Sequence, residues 1–244
     1  MKKTEQLEKE RSVKSEMSFW DHLGELKSRL RISVIIFVVS FFIIYIFSSR
    51  IFQVIKDHFI GQYDLKLLAP TVMSGFMLSL KMGFWLGLGI TLPVLIYEVF
   101  KFIDPALNQK YHRLSLKIIL SSATLFLAGM SFVYFVMLPM IMDFFIKYNE
   151  KLGLVNLFST EQFFTFIIIN LFVGGVIFQT PMVIVSANRL GLLHKDTLKN
   201  SRRWAYIIIL VLAGVLTPDH SIISQIVLGG VIIVLFEFSL LFCK

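Results

Sequence analysis

The chain predicts an all-α, polytopic membrane protein with six transmembrane helices and both termini on the cytoplasmic side. Three observations carry this reading. First, 56% of the 244 residues are hydrophobic and only 16% are charged, against about 25% charged in soluble domains. Second, long stretches hold no charge at all: 32–49, 82–97, 118–142, 162–188, 204–218 and 221–236. A helix crossing the hydrocarbon core needs about 20 residues. Third, Lys and Arg alternate by loop. The segments 1–31, 98–117 and 189–203 carry 17 of them, and 48–66, 147–151 and 218–220 carry 5. Basic loops stay cytoplasmic, so the net charge of +8 reports topology rather than nucleic-acid binding.

Taken in order, residues 1–17 read as a mobile charged cytoplasmic tail, and 18–244 as one six-helix transmembrane domain. The first 31 residues lack the apolar centre of a signal peptide. Residues 18–30, SFWDHLGELKSRL, place Leu23, Leu26 and Leu30 on one face, which predicts a short amphipathic helix at the membrane surface. Helix 1 follows over about 29–49. In helix 2, Gly83, Gly87 and Gly89 make one face small, which permits close helix approach. Pro93 should kink it. Helix 3 covers about 114–140 and is expected to end near Pro139. Helix 4, about 162–188, contains Gly174, Gly175, Gln179 and Pro181, a combination that predicts a bend. Helices 5 and 6 are expected to be short: 15 uncharged residues reach roughly 22 Å, less than the ~30 Å hydrocarbon thickness. Local bilayer thinning at this pair follows, with a re-entrant hairpin as the structural alternative.

Charges and amides inside spans are costly and mark interiors, wet cavities or function. Lys81 reads as a residue that snorkels to the outer surface. Gln179 reads as an interhelical hydrogen-bonding group or a docking point for a partner helix. Glu237 reads equally as an interfacial carboxylate or a functional one. No catalytic residue is assigned. The five histidines all lie outside the spans, HExxH, GxSxG and phosphate-loop patterns are absent, and the single cysteine, Cys243, excludes an internal disulfide. No metal or cofactor is expected. A small-solute or ion secondary transporter is the alternative class, although no inverted repeat is visible and the midplane offers mainly Gln179 and Asn170.

Several motifs in order resemble the TatC family, the multispanning receptor subunit of the twin-arginine protein translocase. They are HLGELKSRLR at 22–31, LPVLIYEVFKFIDPAL at 92–107, FQTP at 178–181, LTPDHSIISQ at 216–225 and LFEF at 235–238. The resemblance implies a receptor in the cell membrane that binds twin-arginine signal peptides of folded cargo at its cytoplasmic face. It also implies assembly with single-span subunits of the TatA type and, where present, the TatB type, in a homo-oligomeric complex within the lipid bilayer driven by the proton-motive force. Glu25 is the implied ligand of the signal peptide's arginine, since a carboxylate holds a guanidinium by charge-assisted, bidentate bonds. Phe102 would pack beside the peptide's apolar residues. The family usually has a second glutamate in the first cytoplasmic loop, and Tyr111 stands there instead. Glu98 or Asp104 is expected to supply that charge, unless Glu98 merely pairs with Lys101 at i+3. Pro181, Asp219, Gln225 and Glu237 complete the family motifs as structural or partner-facing positions.

Overall fold

The computed structural model describes the backbone of residues 2–63, 66–103, 112–189, 191, 193–216 and 222–243. Side chains are described for these residues outside 2–23, 25, 26, 28, 29, 62, 101–103, 112–118, 216 and 223. Helix α1 (Lys2–Tyr63) is a single 62-residue rod, so the amphipathic stretch 18–30 is continuous with the first span. No proline interrupts it. After α1 come β1 (Lys66–Leu68), α2 (Ser74–Ile103), α3 (His112–Phe132), a π-helical turn (Val133–Met137), α4 (Leu138–Lys151), β2 (Leu157–Ser159), α5 (Thr160–Ile177), α6 (Thr180–Arg189), α7 (Lys195–Asn200), α8 (Arg202–Leu216) and α9 (Ile222–Phe242).

Among the described residues, five segments are long and apolar enough to cross a membrane: Leu30–Gly61, which takes in His58 against the sequence expectation, Ser74–Phe100, Ile119–Lys151, Thr160–Arg189 and Ser224–Phe242. The short helix is α8, at 15 residues. The last span is short beside the others, which run 27 to 33 residues, but its 19 residues suffice to cross. It exceeds the uncharged run because α9 continues through Glu237, whose charge is met by α8.

Helix α1 packs antiparallel along α2. A Cβ on Gly83 or Gly87 would lie only 3.0–3.2 Å from Phe41, so the missing side chains set the closeness of the two helices. One turn outward, Ser48 Oγ donates to Ser79 Oγ at 3.1 Å. Gly89 serves a different neighbour, the ring of Phe126 on α3. Helix α2 runs on through Pro93 to Ile103.

Pro139 does not end the third span. It occupies the second position of α4, where a missing N–H costs little. The π-turn before it re-phases the ladder: Leu138 N donates to Val133 O, five residues back. Helix α4 then closes at Leu152 and Gly153, whose φ of 70° suits a residue without a Cβ.

The fourth span bends where expected. Phe178 and Gln179 separate α5 from α6, and Pro181 cannot donate to Ile177 O. Thr180 Oγ1 takes that place at 2.6 Å. The break is therefore closed by a side chain one residue away.

The core runs from one end of the bundle into α8 and α9, and most of it lies at the first end. Ile55 and Phe59 of α1, Met82 of α2, Met137, Leu138 and Ile141 around the π-turn, and Phe164, Ile167 and Ile168 of α5 are all buried. The parallel ladder Lys66–Leu157, Leu67–Phe158, Leu68–Ser159 caps this end, with Leu67 and Phe158 facing the core. Helix α5 is the central helix: half of its span is buried, against 11% for α1. Helices α8 and α9 join on the other side of the break, with α9 packed on both α6 and α8.

Candidate functional site

The α1–α2 register relates the first two motifs. Each residue back along α1 is matched by one forward along α2: Ser48 lies level with Ser79, and Phe41 with Gly83 to Gly87. Counted on one for one toward the opposite end of the bundle, the same register would pair position 25 with position 102, in the last turn of α2. Both sit at the end opposite the β1–β2 cap. The side chains of Glu25 and Phe102 lie outside the described residues, as does Asp104 entirely. Glu98 lies one turn before Phe102 and is buried at 7% exposure, which sets it behind the rim rather than on it.

Gln179 is buried at 3% exposure in the break between α5 and α6. Both ends of its amide are satisfied by one residue of α3. Ser122 Oγ donates to Gln179 Oε1 at 2.7 Å, and Gln179 Nε2 donates to Ser122 O at 2.9 Å. Gln179 is thus an interhelical hydrogen-bonding group between α3 and the α5–α6 break. Pro181 beside it is also buried. Asn170, the other midplane amide, is 2% exposed and donates back to Phe166 O of its own helix.

Glu237 on α9 is held from α8. Arg202 Nη2 donates to its Oε2 at 2.9 Å, and the Tyr206 hydroxyl donates to its Oε1. Arg202 and Tyr206 are one helical turn apart, so a single face of α8 grips the carboxylate. At the other end of this pair, Gln225 Nε2 donates to Leu210 O at 3.1 Å. Gly214 makes room for it: a Cβ there would meet Gln225 Nε2 at 2.9 Å. Asp219 lies outside the described residues.

Lys81 does not snorkel freely. Its Nζ donates to Glu161 Oε1 at 2.7 Å, joining α2 to the first turn of α5. A carboxylate in that turn also meets the positive end of the α5 dipole. Ser122, Arg202, Tyr206 and Glu161 were not singled out from sequence. Of these, Glu161 left a signal, as an acid bordering the fourth uncharged run.

On the capped face, the Tyr63 hydroxyl donates to Pro139 O at 3.3 Å. Burial, then the neighbouring Asp143 carboxylate, push it up to about 12. Among the described residues, no group of three His, Cys, Asp or Glu could hold a metal ion.

Comparison with known proteins bears on the family and the fold. The family described as Sec-independent protein translocase protein (TatC) matches residues 21–230. The chain is 30% identical over 230 residues to the Sec-independent protein translocase protein TatCy of Bacillus subtilis (strain 168), covering 94% of this chain and 90% of that one. It is 28% identical over 225 residues to the TatC protein of Halalkalibacterium halodurans, covering 92% and 88%. A crystal structure of the twin-arginine translocase receptor TatC superposes with a TM-score of 0.80 at 25% identity, over 91% of this chain and 99% of that one. The chain therefore belongs to the TatC family of Sec-independent protein translocase proteins, multi-pass membrane components of a translocase and not enzymes.

Proposed function

We propose that this chain is the receptor core of a twin-arginine translocase. It binds the paired arginines of signal peptides on folded cargo at the basic, cytoplasmic end of the bundle and assembles with single-span TatA-type and, where present, TatB-type subunits. The observation that carries the reading is the family match across residues 21–230. The α1–α2 register supports the placement of the site, since counting it on from Ser48–Ser79 and Phe41–Gly87 pairs position 25 with position 102. Glu25 pairs with an arginine guanidinium, and Phe102 offers apolar surface beside it. Asp104 is the first candidate for a second carboxylate in place of the residue at Tyr111, because Glu98 is buried. The N-terminal 17 residues serve as a charged cytoplasmic tail. The complex holds more than one copy of the chain. The transporter alternative has little to stand on: Gln179 is consumed by Ser122, and Asn170 is buried against its own helix.

The test is photocrosslinking of a twin-arginine signal peptide to the chain in membranes, with Arg-Arg compared to Lys-Lys. Losing a charge-assisted pair costs about 1.5–3 kcal/mol, so Glu25→Ala should weaken capture roughly 10- to 100-fold, as should Lys-Lys. Capture unchanged by Glu25→Ala would move the arginine contact to Asp104 or Glu98. No capture by a folded chain with its partners present would end the receptor reading.

A further inference from the structure

The stretch from Lys195 to Leu216 is nearly one helix. Ser201 N donates to Thr197 O at 3.0 Å and Ala205 N to Ser201 O at 2.9 Å, so the ladder of α7 passes into α8. One side of this rod is used inside the protein. Leu198, Ala205, Tyr206 and Ile209 pack inward, Lys195 Nζ donates to Cys243 O at 2.6 Å, and Arg202 meets Glu237. The other side is exposed and ordered by polarity. Lys199 and Arg203 stand one turn apart, Trp204 follows at 70% exposure, and Ile207, Ile208 and Val211 continue below it.

We infer that this stripe binds an anionic phospholipid of the leaflet that meets the α7–α8 junction. Arg203 and Lys199 hold the phosphate, the Trp204 indole sits at the glycerol level, and an acyl chain lies along Ile207, Ile208 and Val211. Three features converge on a lipid. Segment 189–203 has five basic residues and one acid, Asp196, which stands one turn before Lys199 in α7. Tryptophan favours the membrane–water interface, where its ring is apolar and its N–H is wet. The third feature is mismatch: α8 is only about 22 Å long at 1.5 Å per residue. A bilayer that thins to meet it brings headgroups onto its basic end. A zwitterionic lipid carries its own ammonium beside the phosphate, so the two cations select a net negative headgroup. The inference rests on the fold and the membrane assignment, not on the receptor reading.

The experiment uses the full chain in lipid nanodiscs containing brominated phosphatidylglycerol or brominated phosphatidylcholine as a minor component. Tryptophan fluorescence is recorded for the wild type and for Trp204→Phe, and the difference isolates quenching at Trp204. Each juxtamembrane basic residue is expected to favour the anionic lipid by about fivefold. The wild type should therefore show a clear preference for phosphatidylglycerol that falls toward parity in Lys199→Gln/Arg203→Gln. Excess inorganic phosphate should leave it intact. Equal quenching by both lipids, or a preference that survives the double substitution, assigns the stripe to bulk lipid or a protein partner and overturns the proposal. Loss of the preference on adding phosphate means a free-anion site and overturns it too. If the double variant fails to fold, the wild-type difference spectra still decide between preference and parity.

Discussion

Phe126 shows how single side chains set this architecture. Its ring fills the space over two glycines on different helices: a Cβ on Gly175 would lie 2.3 Å from it and one on Gly89 2.6 Å. Gly129 and Gly174 bring α3 and α5 closer still, with a Cβ on Gly129 only 2.5 Å from Gly174 O. Overpacking at such a site costs about 1–3 kcal/mol. Gly175→Ala should lower the melting temperature in detergent, and Phe126→Leu in the same chain should recover part of the loss. A double-mutant cycle showing no coupling would refute the contact. Ser122→Ala strips Gln179 of its Oε1 donor, at a cost of about 0.6–1.7 kcal/mol for a membrane hydrogen bond. Signal-peptide capture should survive this change. Tyr63 adds a pH signature. Its folded value, about 12, lies above the ordinary value of 10. Between these two pH values the unfolded chain gives up the proton while the folded chain keeps it. The associated stability is full below pH 10 and lost as pH rises toward 12. The difference in stability between wild type and Tyr63→Phe, followed by denaturation from pH 8 to 12, should shrink over that window.

At the scale of elements, the α8–α9 pair depends on two end clamps, Arg202 and Tyr206 on Glu237 and Gln225 on Leu210 O. The ion pair is partly exposed, 43% at Arg202 and 36% at Glu237, so its net worth is modest, about 1 kcal/mol. Its larger effect is positional. Arg202→Gln should loosen the α8 end, read as a slower disulfide between cysteines engineered into facing turns of α8 and α9 near Glu237, while overall melting changes little. A large drop in melting with unchanged crosslinking would show the clamp to be a stability element instead. The third and fourth spans show two ways of carrying proline through a helix. Before Pro139 the ladder slips by one residue into a π-turn, and at Pro181 the freed carbonyl accepts the Thr180 hydroxyl.

At the scale of the whole molecule, buried packing is concentrated toward the capped end, and the basic end is where α1 and α2 reach beyond it. The capped end is joined by Lys81–Glu161, the Phe52–Phe164 ring contact and the short β ladder. The receptor surface proposed for the opposite end would exchange ligands without disturbing that core. Cutting the Lys81–Glu161 link with Glu161→Gln should therefore lower melting without altering the affinity for a signal peptide.

What the sequence determined by itself was the pattern that a bilayer enforces. Charge-free runs, alternating basic loops, the small face of α2 at Gly83 and Gly87 (Gly89 turns to α3 instead) and the Gly-Gly-x₃-Gln-x-Pro bend were legible because each follows from local composition and backbone chemistry. The short α8 was legible for the same reason. The tertiary structure decided which polar groups meet. Lys81 reads from sequence as snorkelling to the outer surface, and the fold pairs it with Glu161. Gln179 bonds Ser122 of α3. Glu237 is neutralised from α8, which carries the last span past the end of its uncharged run. Each outcome depends on a partner 31 to 80 residues away. In a low-dielectric interior a polar group is stable only where its partner is, and that partner is chosen by how the helices pack, not by what stands beside it in the chain.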